Sequence, residues 1–390
     1  DNDGDIATGT GNLFIRIDDD SPSAFAETAR TVAEDAVGTI DGNVLTNDAQ
    51  GADGAVVTHV NLGSGFVAIT SGTLVSGAYQ FSTPKGVYTF KADGSWTFDP
   101  ANNQNNASGI DASFSYRITD ADGDVSEAVQ PITITDGAGP SAGDPLTLAL
   151  DDQNLADGTT PANPDAASGT VSFTAGSDAL TSFAFAASIA GLGAGLTWTR
   201  VSDTLIQGRD GANLIVSLTL TPPASIAAGG NGTVTVTATL HDNYDSHPTF
   251  TSDDLVNLGS VGVVASDQDG DSATATVNVT VSDDVPTLSV SGDVTVVEGA
   301  TATGTWSETI GADQPGASTV VVVGGTSHAL GSAIDTGNGT LTVAANGTWS
   351  FVANNNLDND LNPSVTFTVR VTDADGDVAE DTQTVAITDG

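Results

Sequence analysis

Residues 86–137 and 339–390 align without a gap, and within them Thr119-Asp120-Ala121-Asp122-Gly123-Asp124-Val125 returns unchanged as Thr372-Asp373-Ala374-Asp375-Gly376-Asp377-Val378. A chain that carries one half-module twice folds as an array in which each copy closes its own core. Trp96 and Trp349, Phe98 and Phe351, Phe114 and Phe367, and Arg117 and Arg370 occupy matching places. In each copy the Trp and the Phe two residues on share one face of a strand. Asp93-Gly94 and Asn346-Gly347, set between alternating segments, are two-residue hairpin signals. The aromatics read as core filling rather than surface binding platforms. No amphipathic helical pattern appears, and short strands at Gly169–Thr174, Leu196–Arg200, Leu214–Leu220 and Gly232–Leu240 extend the reading. The expected class is all-β, in tandem sandwiches.

Strands that run into acidic residues and then Pro mark the module limits, because Pro stops the ladder and stiffens a linker. Asp18-Asp19-Asp20-Ser21-Pro22, Asp136-Gly137 with Pro140, and Asp283-Asp284-Val285-Pro286 are such points. The expected division is 1–20, a last strand (12–17) and linker of a preceding module; 21–140; a longer segment, 141–286; and 287–390. The opening strand is expected to lie against a neighbouring chain or stay extended.

The repeated heptapeptide, with Asp267-Gln268-Asp269-Gly270-Asp271 and Asp1-Asn2-Asp3-Gly4-Asp5, sets three carboxylates at alternating positions around a glycine. Oxygen donors at that density suit a hard cation such as Ca²⁺. The loops lack the bidentate Glu of an EF-hand, since Asn12, Pro131, Asn278 and Thr384 stand where it would fall. Each must therefore borrow ligands from elsewhere in the fold.

Charge narrows the partners. The chain has 50 acidic and 8 basic residues among 390, a formal net charge of −42. That repels nucleic acid and anionic lipid, and it destabilises a compact fold unless cations neutralise part of it. Without Cys there is no disulfide, so in an extracellular setting metal ions would supply the cross-links. No apolar run reaches the roughly 20 residues of a membrane span, and residue 1 already lies in an acidic loop rather than a signal peptide. The chain reads as a soluble, monomeric fragment of something longer.

Thr31-Val32-Ala33-Glu34-Asp35 through Gly42-Asn43-Val44-Leu45-Thr46-Asn47-Asp48, closed by the Trp96 hairpin and the Asp120–Asp124 loop, resembles a cadherin-like bacterial Ig module. Residues 234–240, His247-Pro248, 266–270 and 277–286 resemble the longer repeat, of about 143 residues, of type I secretion substrates. Val296-Val297-Glu298-Gly299 and the Trp349 hairpin carry the Ig-like pattern into the last module. Together the chain is similar to the repetitive region of giant repeats-in-toxin (RTX) adhesins. The resemblance implies Ig-like, cadherin-like sandwiches in a linear array, forming an extracellular stalk that calcium stiffens and that holds an adhesive tip away from a bacterial surface, as in biofilm attachment.

In an Ig-type sandwich the loop before the last strand lies at the end where the chain enters. Asp120, Asp122 and Asp124 are thus expected to face Asp18, Asp19 and Asp20 together with Glu34 and Asp35. Asp267, Asp269 and Asp271 are expected to meet Asp136, with Asp144 a further candidate. Asp373, Asp375 and Asp377 are expected to meet Asp283, Asp284 and Glu298. Each set offers the six to eight oxygens Ca²⁺ prefers; the competing reading is a plain turn built from Asp and Gly. Asn47-Asp48 with Asp53-Gly54, and Asp151-Asp152 with Asp157-Gly158, read first as solvated turns and second as extra ion loops.

His59, His241, His247 and His328 are scattered outside any zinc pattern, and no Gly-x-Ser-x-Gly elbow occurs, so the chain is not expected to be an enzyme. The loops 189–196 and 242–250 exceed what a spacer needs. They leave a second reading open, in which the middle segment binds surface glycans or proteins.

Overall fold

The computed structural model describes residues 9–12, 14–16, 18–244, 255–314, 316–374 and 376–390. They form strands and three single-turn 3₁₀ segments, Ile69–Ser71, Asp152–Asn154 and Asn359–Leu361. No helix among them is long and apolar enough to cross a membrane. Two compact units emerge. The first holds Asp1–Gly139 with Gly176–Asp178 and Gln268–Gly270; the second holds the rest. Of the expected opening strand, residues 13 and 17 lie outside the described set. Residues 12 and 14–16 join no ladder, and Phe14 and Ile15 are exposed.

In the first unit a five-stranded sheet, with the Gly86–Phe90 and Ser95–Pro100 hairpin in its interior, faces sheets built on Phe114–Asp120 and Ile132–Thr135. Strict alternation drives this, since Phe114, Tyr116 and Ile118 are buried while the residues between them are only partly so. The second unit contains a six-stranded and a four-stranded sheet around one core, then two five-stranded sheets around another.

One pairing recurs three times. Arg30–Ala33 runs parallel to Ile132–Thr135, Leu146–Asp151 to Ser272–Ser282, and Thr295–Val297 to Val378–Thr388. An early strand of each module therefore ends where the last strand ends.

The repeated aromatics fill the cores in repeated geometry. Trp96 meets Phe114 edge-on at 5.4 Å between centroids, and Trp349 meets Phe367 at 5.2 Å. Each Trp lies over a glycine of the neighbouring strand, Gly42 opposite Trp96 and Gly304 opposite Trp349. A Cβ on Gly304 would come within 2.4 Å of the Trp349 ring, so only glycine admits the indole there.

Arg117 and Arg370 make cross-strand pairs with Glu127 and Glu380 on half-exposed faces. Such pairs contribute about 0.2–1 kcal/mol. Arg370→Ala is expected to lower stability by no more than about 1 kcal/mol in urea titrations.

Candidate functional site

The parallel ladder of the second unit builds its acidic centre. Asp151 pairs with Ser282, so the next residues, Asp152 and Asp283, emerge side by side. Asp151 caps the turn that follows, its carboxylate accepting from Gln153 N at 3.2 Å. Asp313 joins them from the loop between Thr301–Thr309 and Ser318–Val323. Carboxylate oxygens of Asp152, Asp283 and Asp313 lie within 4.8 Å of one another. Their exposures are 0%, 6% and 2%. Neither carboxylate oxygen of Asp152 has a hydrogen-bond partner. Burial first, then the charges of Asp313, Asp284 and Asp151, push its pKa up to about 8.

Asp284 has a different task. Its Oδ2 accepts from Thr159 N at 2.8 Å and Ala312 N at 3.0 Å, and its Oδ1 from Thr159 Oγ1 at 2.5 Å. It pins the 152–160 turn to the loop carrying Asp313, a bond set that needs no ion.

Three buried carboxylates repel one another unless protons or a cation intervene. In the metal-free protein, Asp152 is protonated more readily folded than unfolded, because its folded pKa lies above the ordinary 3.8. The stability this contributes is complete below about pH 4 and is lost as pH rises towards 8. Thermal melts of chelator-stripped protein across that range should show the second unit weakening, by at most about 1.4 kcal/mol per pH unit. Asp152→Asn should flatten the profile.

The first unit holds two comparable groups. Asp19, Asp53 and Asp122 converge on an exposed face. Asp120 and then Asp19 push Asp122 up to about 6. Asp20 Oδ2 accepts from Ala52 N at 3.1 Å, and Ser21 Oγ donates to Asp124 at 2.6 Å, while Asp18 pairs with Arg16 in solvent. Elsewhere Glu34, Asp136 and Asp178 converge, with Glu34 1% exposed and its Oε1 without a partner. Asp269, both oxygens buried and unpartnered, belongs to the same unit, whereas Asp267 and Asp271 belong to the second.

Two expected pairings differ. Glu34 does not stand with Asp120. It follows Arg30–Ala33, which runs parallel to Ile132–Thr135, so its N–H reaches Thr135 O at 3.2 Å, and it lies beside Asp136. Glu298 likewise bonds Thr388 O at 3.0 Å, at the end of the module away from the Asp373 loop. The Asp373 loop instead touches the Asp313 segment, Ala374 N donating to Asp313 O at 3.2 Å. Asp375, the Asp1–Asp5 loop and His247 lie outside the described residues, and Asp144 is exposed and in none of the groups.

The first Asp of each repeated motif holds its own loop. Asp120 Oδ1 accepts from Gly123 N and Asp124 N at 2.9 and 2.7 Å, and Asp373 Oδ1 from Gly376 N and Asp377 N at 3.0 and 2.7 Å. These bonds are what the turn reading expects of one oxygen, while Asp120 Oδ2 is buried without a hydrogen-bond partner. Asp48 is also engaged, with Phe25 N at 2.7 Å and the Tyr116 hydroxyl.

Asp178 and Asp313 belong to none of the Asp-rich sequence motifs, and Asp53 and Asp152 sit in segments whose first reading is a solvated turn. A signal existed. Gly51-Ala52-Asp53, Gly176-Ser177-Asp178 and Gly311-Ala312-Asp313 share a Gly-small-Asp pattern, and each gives its Asp to one of the three groups. The small residue's N–H bonds a linker oxygen every time, on Asp20, Ala138 or Asp284. An all-oxygen donor set without thiolate or imidazole suits a hard divalent cation.

Residues 19–135 and 283–388 match the Bacterial Ig domain family, and the chain belongs to that family. No curated protein matches its sequence. Among solved structures, a PcdhgB3 EC1-4 structure is similar at 12% identity and TM-score 0.32, over 95% of this chain and 76% of that one. The protocadherin gamma B2 extracellular cadherin domains 1-5 give 12% and 0.32, over 95% and 60%. Drosophila N-cadherin EC1-3 gives 12% and 0.27, over 94% and 100%. These are distant likenesses.

Proposed function

We propose that the chain is a stalk segment of an extracellular bacterial adhesin, of the RTX type exported by type I secretion, whose modules are braced by Ca²⁺. The observation that carries this reading is Asp152, fully buried beside Asp283 and Asp313 with no hydrogen-bond partner for either oxygen. A buried, unpaired carboxylate costs several kcal/mol unless it is neutralised. Ca²⁺ takes six to eight oxygens, and modules outside the cell bind it at roughly 10⁻⁴–10⁻³ M. The segment would be slack in the cytosol and braced once exported. Glu34, Asp136 and Asp178, and Asp19, Asp53 and Asp122, are the corresponding ligands in the first unit. The partners are neighbouring modules of the same long chain, not nucleic acid or membrane, and the segment acts as a monomer without catalysis, projecting a distal tip for surface or biofilm attachment.

Small-angle scattering of the full chain in excess Ca²⁺ and then in EDTA tests the reading. A larger maximum dimension with narrower spread in Ca²⁺ is expected; identical profiles in the two conditions would overturn it.

A further inference from the structure

One buried polar side chain of the first unit belongs to none of the carboxylate groups. Asn106 is 2% exposed, and neither its Oδ1 nor its Nδ2 has a hydrogen-bond partner. A buried amide ordinarily finds partners, because leaving it unpaired forfeits the bonds it made to water. Asparagines at other turns of this chain find them locally. Asn43 Oδ1 accepts from Leu45 N at 2.8 Å, Asn61 Oδ1 from Gly63 N and Gly65 N at 2.9 Å, and Asn257 Oδ1 from Gly259 N at 2.8 Å. Asn106 also opens a turn, its main-chain oxygen accepting from Gly109 N at 2.6 Å, yet its amide bonds nothing.

The two residues before it fix its place. Gln104 N donates to Glu34 Oε2 at 2.8 Å, which leaves Oε1 of the same carboxylate buried and unpartnered. Asn105 Nδ2 reaches Gln268 O at 3.5 Å, on the loop whose next residue, Asp269, has both oxygens buried and unpartnered. Ser177 N donates to Ala138 O at 2.8 Å, which seats Asp178 beside Glu34 and Asp136. Asn106 thus stands between the Glu34 centre and Asp269. The duplicated segment keeps the first of these bonds, with Leu357 N donating to Glu298 Oε2 at 2.9 Å, and Asn106 recurs in sequence as Asn359.

We infer that Asn106 is a ligand of the Glu34, Asp136 and Asp178 centre, supplying a neutral oxygen through Oδ1, and that the completed centre is a dry site selective for Ca²⁺ over Mg²⁺. The inference rests on the calcium reading above. An amide oxygen extends the coordination shell without adding another charge to carboxylates that already repel one another. Glu34, Asn106 and Asp178 are at most 3% exposed, so an ion held there sheds its water. Mg²⁺ gives up water reluctantly and demands near-octahedral contacts, whereas Ca²⁺ accepts six to eight oxygens in flexible geometry. The exposed Asp19, Asp53 and Asp122 group leaves an ion its water and makes no such choice.

Calorimetric calcium titrations of the chelator-stripped full chain, with and without excess Mg²⁺, test this. Asn106→Leu, similar in volume and without a donor oxygen, is expected to weaken one class of sites about tenfold and to spare the class that Asp152→Asn removes. Mg²⁺ is expected to compete at the exposed group and not at the class that Asn106→Leu weakens. Melting adds a readout that packing alone would not move. In EDTA the leucine variant should melt at or above the wild type, because an unpartnered amide is gone, and in Ca²⁺ below it. Asn106→Asp restores an oxygen and should bind calcium, which keeps the test open should the leucine variant fail to fold. Calcium binding that Asn106→Leu leaves unchanged, or a loss of stability equal in both buffers, overturns the inference and leaves the calcium reading standing. Mg²⁺ displacing Ca²⁺ equally at every site overturns the selectivity. Absence of calcium binding anywhere in the wild type overturns both.

Discussion

Calcium added to chelator-stripped protein will raise the melting temperature of the second unit, and Asp152→Asn will remove most of that gain. At a hundredfold excess over Kd, one site that binds only the folded state adds about 2.7 kcal/mol. For a unit of this size that is a shift of roughly 5–10 °C. The substitution acts with opposite signs in the two conditions. With Ca²⁺ it takes away a ligand from a centre where every carboxylate is buried. Without Ca²⁺ it takes away a buried carboxyl that has to be held protonated well above its ordinary pKa, so near neutral pH the variant should melt above the stripped wild type. Differential scanning calorimetry of both proteins in both buffers reads all four values. A variant less stable in both buffers would mean that Asp152 is only a packing residue.

The second large effect lies in the core. Trp349→Ala should cost about 3–5 kcal/mol and unfold the last module first. The indole is buried against Phe367, its ring covers Gly304, and its Nε1 donates to Ser291 O at 2.9 Å. Truncation opens a cavity that Gly304 cannot fill and orphans that carbonyl. Urea unfolding followed by far-UV circular dichroism gives the change. A loss below about 1 kcal/mol would show that the hairpin does not organise the module.

The class of fold was legible because its signals are local. The alternation in Phe114–Asp120, the Asp-Gly and Asn-Gly turns, and each copy of the duplicated heptapeptide span only a few residues apiece. That Asp19 stands near Asp122 was also readable, from one rule of sandwich topology. What escaped was register. Glu34 and Glu298 look like residues near a module's start, but parallel pairing carries them to its far end. Asp152 looks like part of a surface turn until Leu146–Asp151 is laid along Ser272–Ser282. The Gly-small-Asp loops carry no periodicity, so only their convergence in space gives them meaning. Likewise, three of the four Trp residues lie over a glycine, Gly42, Gly208 or Gly304, a match that requires knowing which strands are neighbours.

The parallel pairing of early and last strands also decides how each module answers a pull on its ends. Tension along two side-by-side parallel strands loads their backbone bonds in shear, so the bonds must rupture together instead of unzipping singly. The ladders differ in length, with six partner pairs in the middle module, four in the first and three in the last. On ladder length alone the last module is the weakest link under load and the middle one the strongest, which grades the array like a series of fuses.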